Sequence, residues 1–142
     1  MKSLLVLGGL TLILVAGTQN PVQAKDPVPQ EVVEFLQYAY PRYFVAGASA
    51  AVFAKKNPEL FTTAFQKFVA ANQNKVNYDL LVCAQDLPTN HDITVTAKSA
   101  GLGATARVVM HYDKLHTIRV GVQKTNGRWQ INEVICGEIQ AQ

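Results

Sequence analysis

The sequence predicts an α+β domain in which N-terminal helices pack on an antiparallel meander of four or more strands. Three observations predict it. Apolar residues between Glu31 and Val69 recur at helical spacing, the pattern from Asp92 onward alternates, and Asn126-Gly127 is a two-residue hairpin signal. The chain has 142 residues, of which 49% are hydrophobic and 16% charged. That composition excludes a disordered chain, and beyond the N-terminal segment no apolar run is long enough to span a membrane. The formal charge is +3, one unit of it from Lys2, which is too weak to point to a nucleic-acid partner.

The N-terminus reads as a leader. Met1-Lys2-Ser3 is a short basic start, Leu4 to Ala16 is an uncharged apolar run, and Val22 and Ala24 stand where a signal peptidase reads small residues. The expectation is a signal peptide over residues 1–24, cleaved after Ala24, and a single mature domain over residues 25–142 in the periplasm or secreted. The apolar run is short for a stable membrane anchor, and no Cys near the cleavage site offers a lipid attachment point. Export would carry the two cysteines, Cys83 and Cys136, into an oxidising compartment, so they are expected to pair and to clamp the sheet edge from its outer side.

The helices follow from spacing and caps. Lys25 to Gln30, with Pro27 and Pro29, reads as an extended lead-in. Glu31 to Ala39 reads as a helix with Val32, Phe35, Leu36 and Ala39 on one side, kinked or ended by Pro41. Ala46 to Lys55 fits a helix and a short strand equally well. A clearer helix starts at an Asn57 cap with Pro58 and Glu59 in its first turn. It carries Leu60, Phe61, Ala64, Phe65, Phe68 and Val69 as one apolar stripe and closes over Asn72 to Asn77.

Four strands are expected near Ile93–Ser99, Ala104–Tyr112, His116–Lys124 and Arg128–Cys136. The Asn126-Gly127 turn pairs Thr125 with Arg128, and stepping by two brings Val122 to Ile131, Val120 to Glu133 and Ile118 to Ile135. Between the second and third strands, a two-residue turn at Asp113-Lys114 would bury Arg107. A three-residue connection over Asp113 to Leu115 instead pairs Met110 with Ile118 and Val108 with Val120. A four-residue loop, Ala100 to Gly103, pairs Ala97 with Ala106 and Val95 with Val108.

Three polar side chains then fall on the apolar face: Tyr112 and His116 at its rim, and Glu133 deeper. In an apolar setting Glu133 would favour its neutral form, as a general acid or base does. The alternative is a bulge near Asn132-Glu133 that turns Glu133 outward. Phe61, Phe65, Phe68, Val108, Met110, Val120, Trp129 and Glu133 are the residues expected to line a ligand pocket if the core contains one. His111 points to the opposite face from His116, and no H-x-x-x-H or Cys-His spacing occurs, so no metal site is expected. No P-loop, dinucleotide fingerprint or G-x-S-x-G is present, and no cofactor is expected.

Helices followed by a long meander ending in Gly127-x-Trp129-x-Ile131 resemble the NTF2-like superfamily, also called cystatin-like α+β. A closer resemblance is to the YqhG/YbjP-type group of exported bacterial domains of unknown function. It is carried by Tyr78-Asp79, Cys83-x-Gln85-Asp86, Ala104 with Ala106 and Val108, and Asn126-Gly127-Arg128-Trp129-x-Ile131-x-Glu133-Val134-Ile135-Cys136. The resemblance implies a curved sheet wrapped around its helices as a cone with a central cavity. It carries over no activity, because the carboxylate and Tyr of the superfamily's ketosteroid isomerases are not reproduced in order here.

Two functions compete, beside a third, a purely structural subunit of an envelope complex. One is a non-catalytic periplasmic module that binds a small apolar ligand or an envelope protein, as an inhibitor or immunity protein does. A closed, filled cone would favour a partner on the outer face of the sheet, and a homodimer through the sheet belongs to the same class. The other is a pocket enzyme with Glu133 as general base and Tyr112 or His116 as hydrogen-bond donor. Nothing in the sequence assembles a full catalytic set.

Overall fold

The computed structural model describes Gly17 and residues 26–137. Apart from Gly17, the expected leader lies outside these residues. Three helices precede a four-stranded antiparallel sheet in the order β1-β2-β3-β4, an α+β fold.

The first helix, α1, runs from Val28 to Ala46. It takes in part of the expected lead-in, because Pro29 sits in its first turn, where the missing N–H costs nothing. Pro41 does not end it. An internal proline costs about 3 kcal/mol, and the helix continues because Tyr43 and Phe44, beyond the proline, are buried with Val32, Leu36, Ala39 and Tyr40. Gly47 closes it in the left-handed conformation at φ 59°. The ambiguous stretch is helical: α2 spans Ala50–Lys56, with the Ser49 side chain capping Val52 N–H.

The expected helix from Asn57 is broken in two. Pro58–Leu60 forms a 3-10 turn, Phe61 is extended, and α3 spans Thr63–Asn72. Thr62 is the cap, its hydroxyl accepting from Phe65 N–H at 3.2 Å, while the Asn57 amide donates back to Phe53 O. The apolar stripe divides accordingly. Leu60, Phe61, Phe65 and Val69 are buried, and Ala64 and Phe68 are exposed.

The strands are β1 (Ile93–Ala100), β2 (Gly103–His111), β3 (Leu115–Thr125) and β4 (Arg128–Ile135). The β1–β2 pairing is the expected one, with a tighter turn at Gly101-Leu102. The β2–β3 pairing is displaced by two residues: Met110 faces His116, Val108 faces Ile118 and Ala106 faces Val120. The three-residue connection is Tyr112-Asp113-Lys114. A shift of two preserves the face of every side chain, so the inner face stays apolar.

The β3–β4 pairing starts as expected and then slips at a bulge. Val122 faces Ile131, but Gly121 faces Glu133 and Val120 faces Val134, leaving Asn132 as the extra residue. A Cβ on Gly121 would stand 2.7 Å from the Asn132 side-chain oxygen and 3.2 Å from Glu133 Cβ, so glycine is what lets the bulged strand close on β3.

The α3 cap supplies a direct test. Thr62→Ala should lower unfolding free energy by about 1 kcal/mol in urea denaturation, whereas Asn57→Ala should cost less than half of that. The opposite ranking would restore Asn57 as the helix start.

Candidate functional site

The residues expected to line a ligand pocket form a solid core instead. Val108, Met110 and Val120 have no exposed surface, and Phe61 and Phe65 are nearly as enclosed. Phe61 and Phe65 stack with centroids 6.0 Å apart, and Phe53 meets Phe61 edge-on at 6.1 Å. Where Ala39, Tyr40, Tyr43, Leu81 and Ile131 meet, an indentation of about 10 Å³ has the space of one water. Phe68 lies outside, stacked on Phe65. Trp129 is half-buried at the rim, its indole N–H donating to the Glu31 carboxylate at 2.8 Å, with Lys124 Nζ 3.2 Å from the same oxygen and 5.4 Å from the ring centroid.

Glu133 does not face the core. The Asn132 bulge turns it to solvent, opposite Gly121, and sends Val134 inward in its place. Of the two expectations, the bulge near Asn132-Glu133 is the one found, and the inward Glu133 of the pocket fails because one inserted residue reverses the alternation. The bulge also moves Cys136. Two residues beyond inward-facing Val134, it meets Cys83, itself packed against the core, across a Cα–Cα distance of 5.4 Å. The disulfide therefore closes the inner rim of the sheet rather than its outer side.

Tyr112 and His116 do form a rim pair, with rings edge-on and centroids 5.6 Å apart. Both are occupied by a loop over residues 78–88 that caps the open end of the sheet. Tyr112 Oη donates to Asp86 O at 2.7 Å, and His116 Nε2 is 2.7 Å from Val82 O. A carbonyl oxygen only accepts, so Nε2 carries the proton. Burial pushes the Tyr112 hydroxyl up to about 12, with the charges of Asp79 and Asp86 adding to it. It is a donor at any physiological pH.

The centre of that loop is Asp79, which the sequence reading left without a role. Its carboxylate accepts from the Tyr43 hydroxyl and from the N–H groups of Leu81 (2.8 Å) and Val82 (3.3 Å), and Tyr40 Oη donates to Leu81 O at 3.0 Å. Burial raises both tyrosine pKa values, and the Asp79 charge raises them further. These contacts place Leu80, Leu81 and Val82 in the core. An Asp with two tyrosines one helical turn apart beside a Leu-Leu-Val run was the available signal.

The outer face of the sheet is different in kind. A groove of about 450 Å³ opens there, lined by Thr96, Lys98, Thr105, Arg107 and Arg119 among others. Arg107 and Arg119 are directly opposite in the β2–β3 register. The two-residue displacement hid that pairing from the sequence. Among the described residues, no group of three His, Cys, Asp or Glu is placed to hold a metal ion, and no helix is long and apolar enough to cross a membrane.

No protein-family model and no curated protein matches the chain. A solved structure, a protein of unknown function from Bacteroides thetaiotaomicron VPI-5482, is similar to it with 16% identity and a TM-score of 0.57, over 76% of this chain and 91% of that one. At that identity the likeness shows the fold alone.

Two measurements check the site. The bridged loop has a sequence separation of 53, for which chain entropy gives about 4 kcal/mol. Replacing both cysteines by Ser should lower stability by an amount of that order in urea, with residues 80–84 the first to lose hydrogen-exchange protection; a loss under about 1 kcal/mol would contradict the loop-closing role. The second concerns Glu31, whose carboxyl is held below the usual carboxylate range by the Trp129 hydrogen bond first and Lys124 second. A lowered pKa stabilises the fold above the ordinary carboxylate value and loses that contribution as pH falls through the lowered one. Emission of Trp129, the single tryptophan, should therefore change in acid, and Glu31→Gln should abolish the change.

Proposed function

We propose that the chain is an exported, non-catalytic module that binds an envelope protein through the outer face of its sheet. The observation that carries this reading is the filled interior: the inner face of the sheet is packed by the protein's own side chains. Drug-sized ligands need about 300 Å³ or more, and the inner face of the sheet, where a small apolar ligand was expected, is taken up by the core. The enzyme alternative lacks its base, since Glu133 is in solvent, and its donors, since Tyr112 and His116 bond backbone carbonyls. The disulfide supports an oxidising compartment, and with it the leader and the periplasmic or secreted location. The NTF2-like and YqhG/YbjP-type kinship, carried by Cys83-x-Gln85-Asp86 and the β4 motif, belongs to the same proposal.

A photo-crosslinking residue tests it. Placed at Thr96 or Gln123 on the outer face and activated in the cells that make the protein, it should yield a discrete protein adduct. Placed at Lys55 or Lys67 on the helical side, it should yield none. Adducts from the helical positions alone would move the binding surface to the other side of the molecule.

A further inference from the structure

The two edges of the sheet are not equivalent. The β4 edge is covered. Phe61 bridges to Ile131, Thr62 N–H donates to Ile131 O at 3.0 Å, and the Asn132 bulge interrupts the ladder. The β1 edge is open: over eight residues in unbroken register β1 pairs with β2, and among the described residues no backbone group is bonded to its far side. Natural sheets guard such an edge with proline, a bulge or several charges. Ile93–Ala100 has no proline, no bulge and a single charge, Lys98. Directly beside this edge, on the outer face, lies the groove of about 450 Å³ with Thr96, Lys98, Thr105 and Arg107 on its walls. Lys98 and Arg107 are both exposed and lie on neighbouring strands, so their positive potential adds there.

We propose that β1 receives an extended acidic segment of a partner protein, which adds to the sheet as a fifth strand and turns the carboxylates of alternate residues onto the outer face toward Lys98 and Arg107. This rests on the partner-binding reading and names the partner's chemistry. Strand addition supplies main-chain hydrogen bonds, and alternate side chains supply the choice of sequence. Neighbouring strands lie about 4.8 Å apart. A glutamate on the added strand is thus adjacent to Lys98, and its carboxylate meets the Arg107 guanidinium head to head from one strand further away. A second copy of the chain fits the edge less well, because pairing β1 with β1 would bring two cationic outer faces into one continuous sheet.

The probes are two capped octapeptides, one alternating Thr and Glu and one alternating Thr and Lys, added to the isotope-labelled, disulfide-bonded protein. The Glu peptide should shift and protect the amides of Ile93–Ala100, and the Lys peptide should not. Raising the salt should weaken binding. Lys98→Glu combined with Arg107→Glu should weaken it about tenfold, the scale of two exposed ion pairs. Lys55→Glu with Lys67→Glu, on the helical side, should leave it unchanged, and circular dichroism of both double variants should match the parent. No binding at millimolar Glu peptide, equal response to the Lys peptide, or amide shifts away from β1 would overturn the proposal. So would sedimentation showing a dimer with the β1 amides already protected. Outer-face crosslinks without peptide binding would remove this proposal and leave the partner reading standing; loss of those crosslinks would remove the partner reading itself.

Discussion

The inner face of a four-stranded sheet has to be covered along its whole length, and everything else in this molecule is arranged around that need. Val95, Ala106, Val108, Met110, Ile118, Val120, Val122 and Ile131 all point to one side and are buried. One helix is too narrow to cover them. α1 lies over β1 and β2, while Phe61, Phe65 and the turn before α3 pack toward β4. The remaining end is closed by Leu80, Leu81 and Val82, which belong to no regular element. A buried loop carries backbone groups that need partners, and that requirement accounts for the polar residues in the core. Asp79, Tyr40, His116 and Tyr112 answer N–H and C=O groups of this loop, and the Cys83–Cys136 bond ties its end to the end of β4.

The same requirement decides where chemistry is available. Polar side chains on the inner rim of a sheet invite a catalytic reading, yet each one here is committed to the loop that fills the rim. An unpaired buried donor or acceptor costs about 1–3 kcal/mol, so these residues are held in place by stability. The groups left to meet another molecule are on the outer face, where threonines alternate with Lys98 and Arg107 and where one edge of the sheet is unpaired among the described residues.

The sheet was legible because a period of two, four strand-length runs and an Asn-Gly turn agree with each other. Even the misplaced β2–β3 turn left every residue on its correct face, since an error of two residues is invisible to alternation. The bulge is an error of one, and it reverses Glu133, Val134 and Cys136 together. Its trace in the sequence is Gly121 between Val120 and Val122, a residue that marks close approach. In the helices, local signals competed. Asn57-Pro58-Glu59 makes as good a start as Thr62, and only the extended pairing of Phe61 with Ile131 selects the later one. Pro41 shows the reverse case, in which burial of Tyr43 and Phe44 overrides a local stop. The loop over residues 78–88 has no periodicity, and its partners Tyr40, Tyr43, Tyr112 and His116 are far away in sequence, so the residue types of the Asp79 cluster are visible in the sequence but their pairing is not.

The central claim is that the interior is occupied by the protein itself and that binding takes place on its surface. Native mass spectrometry of the protein recovered from the compartment in which it accumulates, compared with the same sample denatured, tests this most directly. The account predicts that no apolar small molecule accompanies the folded chain: the native mass, apart from any protein partner, equals that of the denatured, disulfide-bonded polypeptide. A small apolar molecule retained stoichiometrically by the native protein and released on denaturation would contradict it.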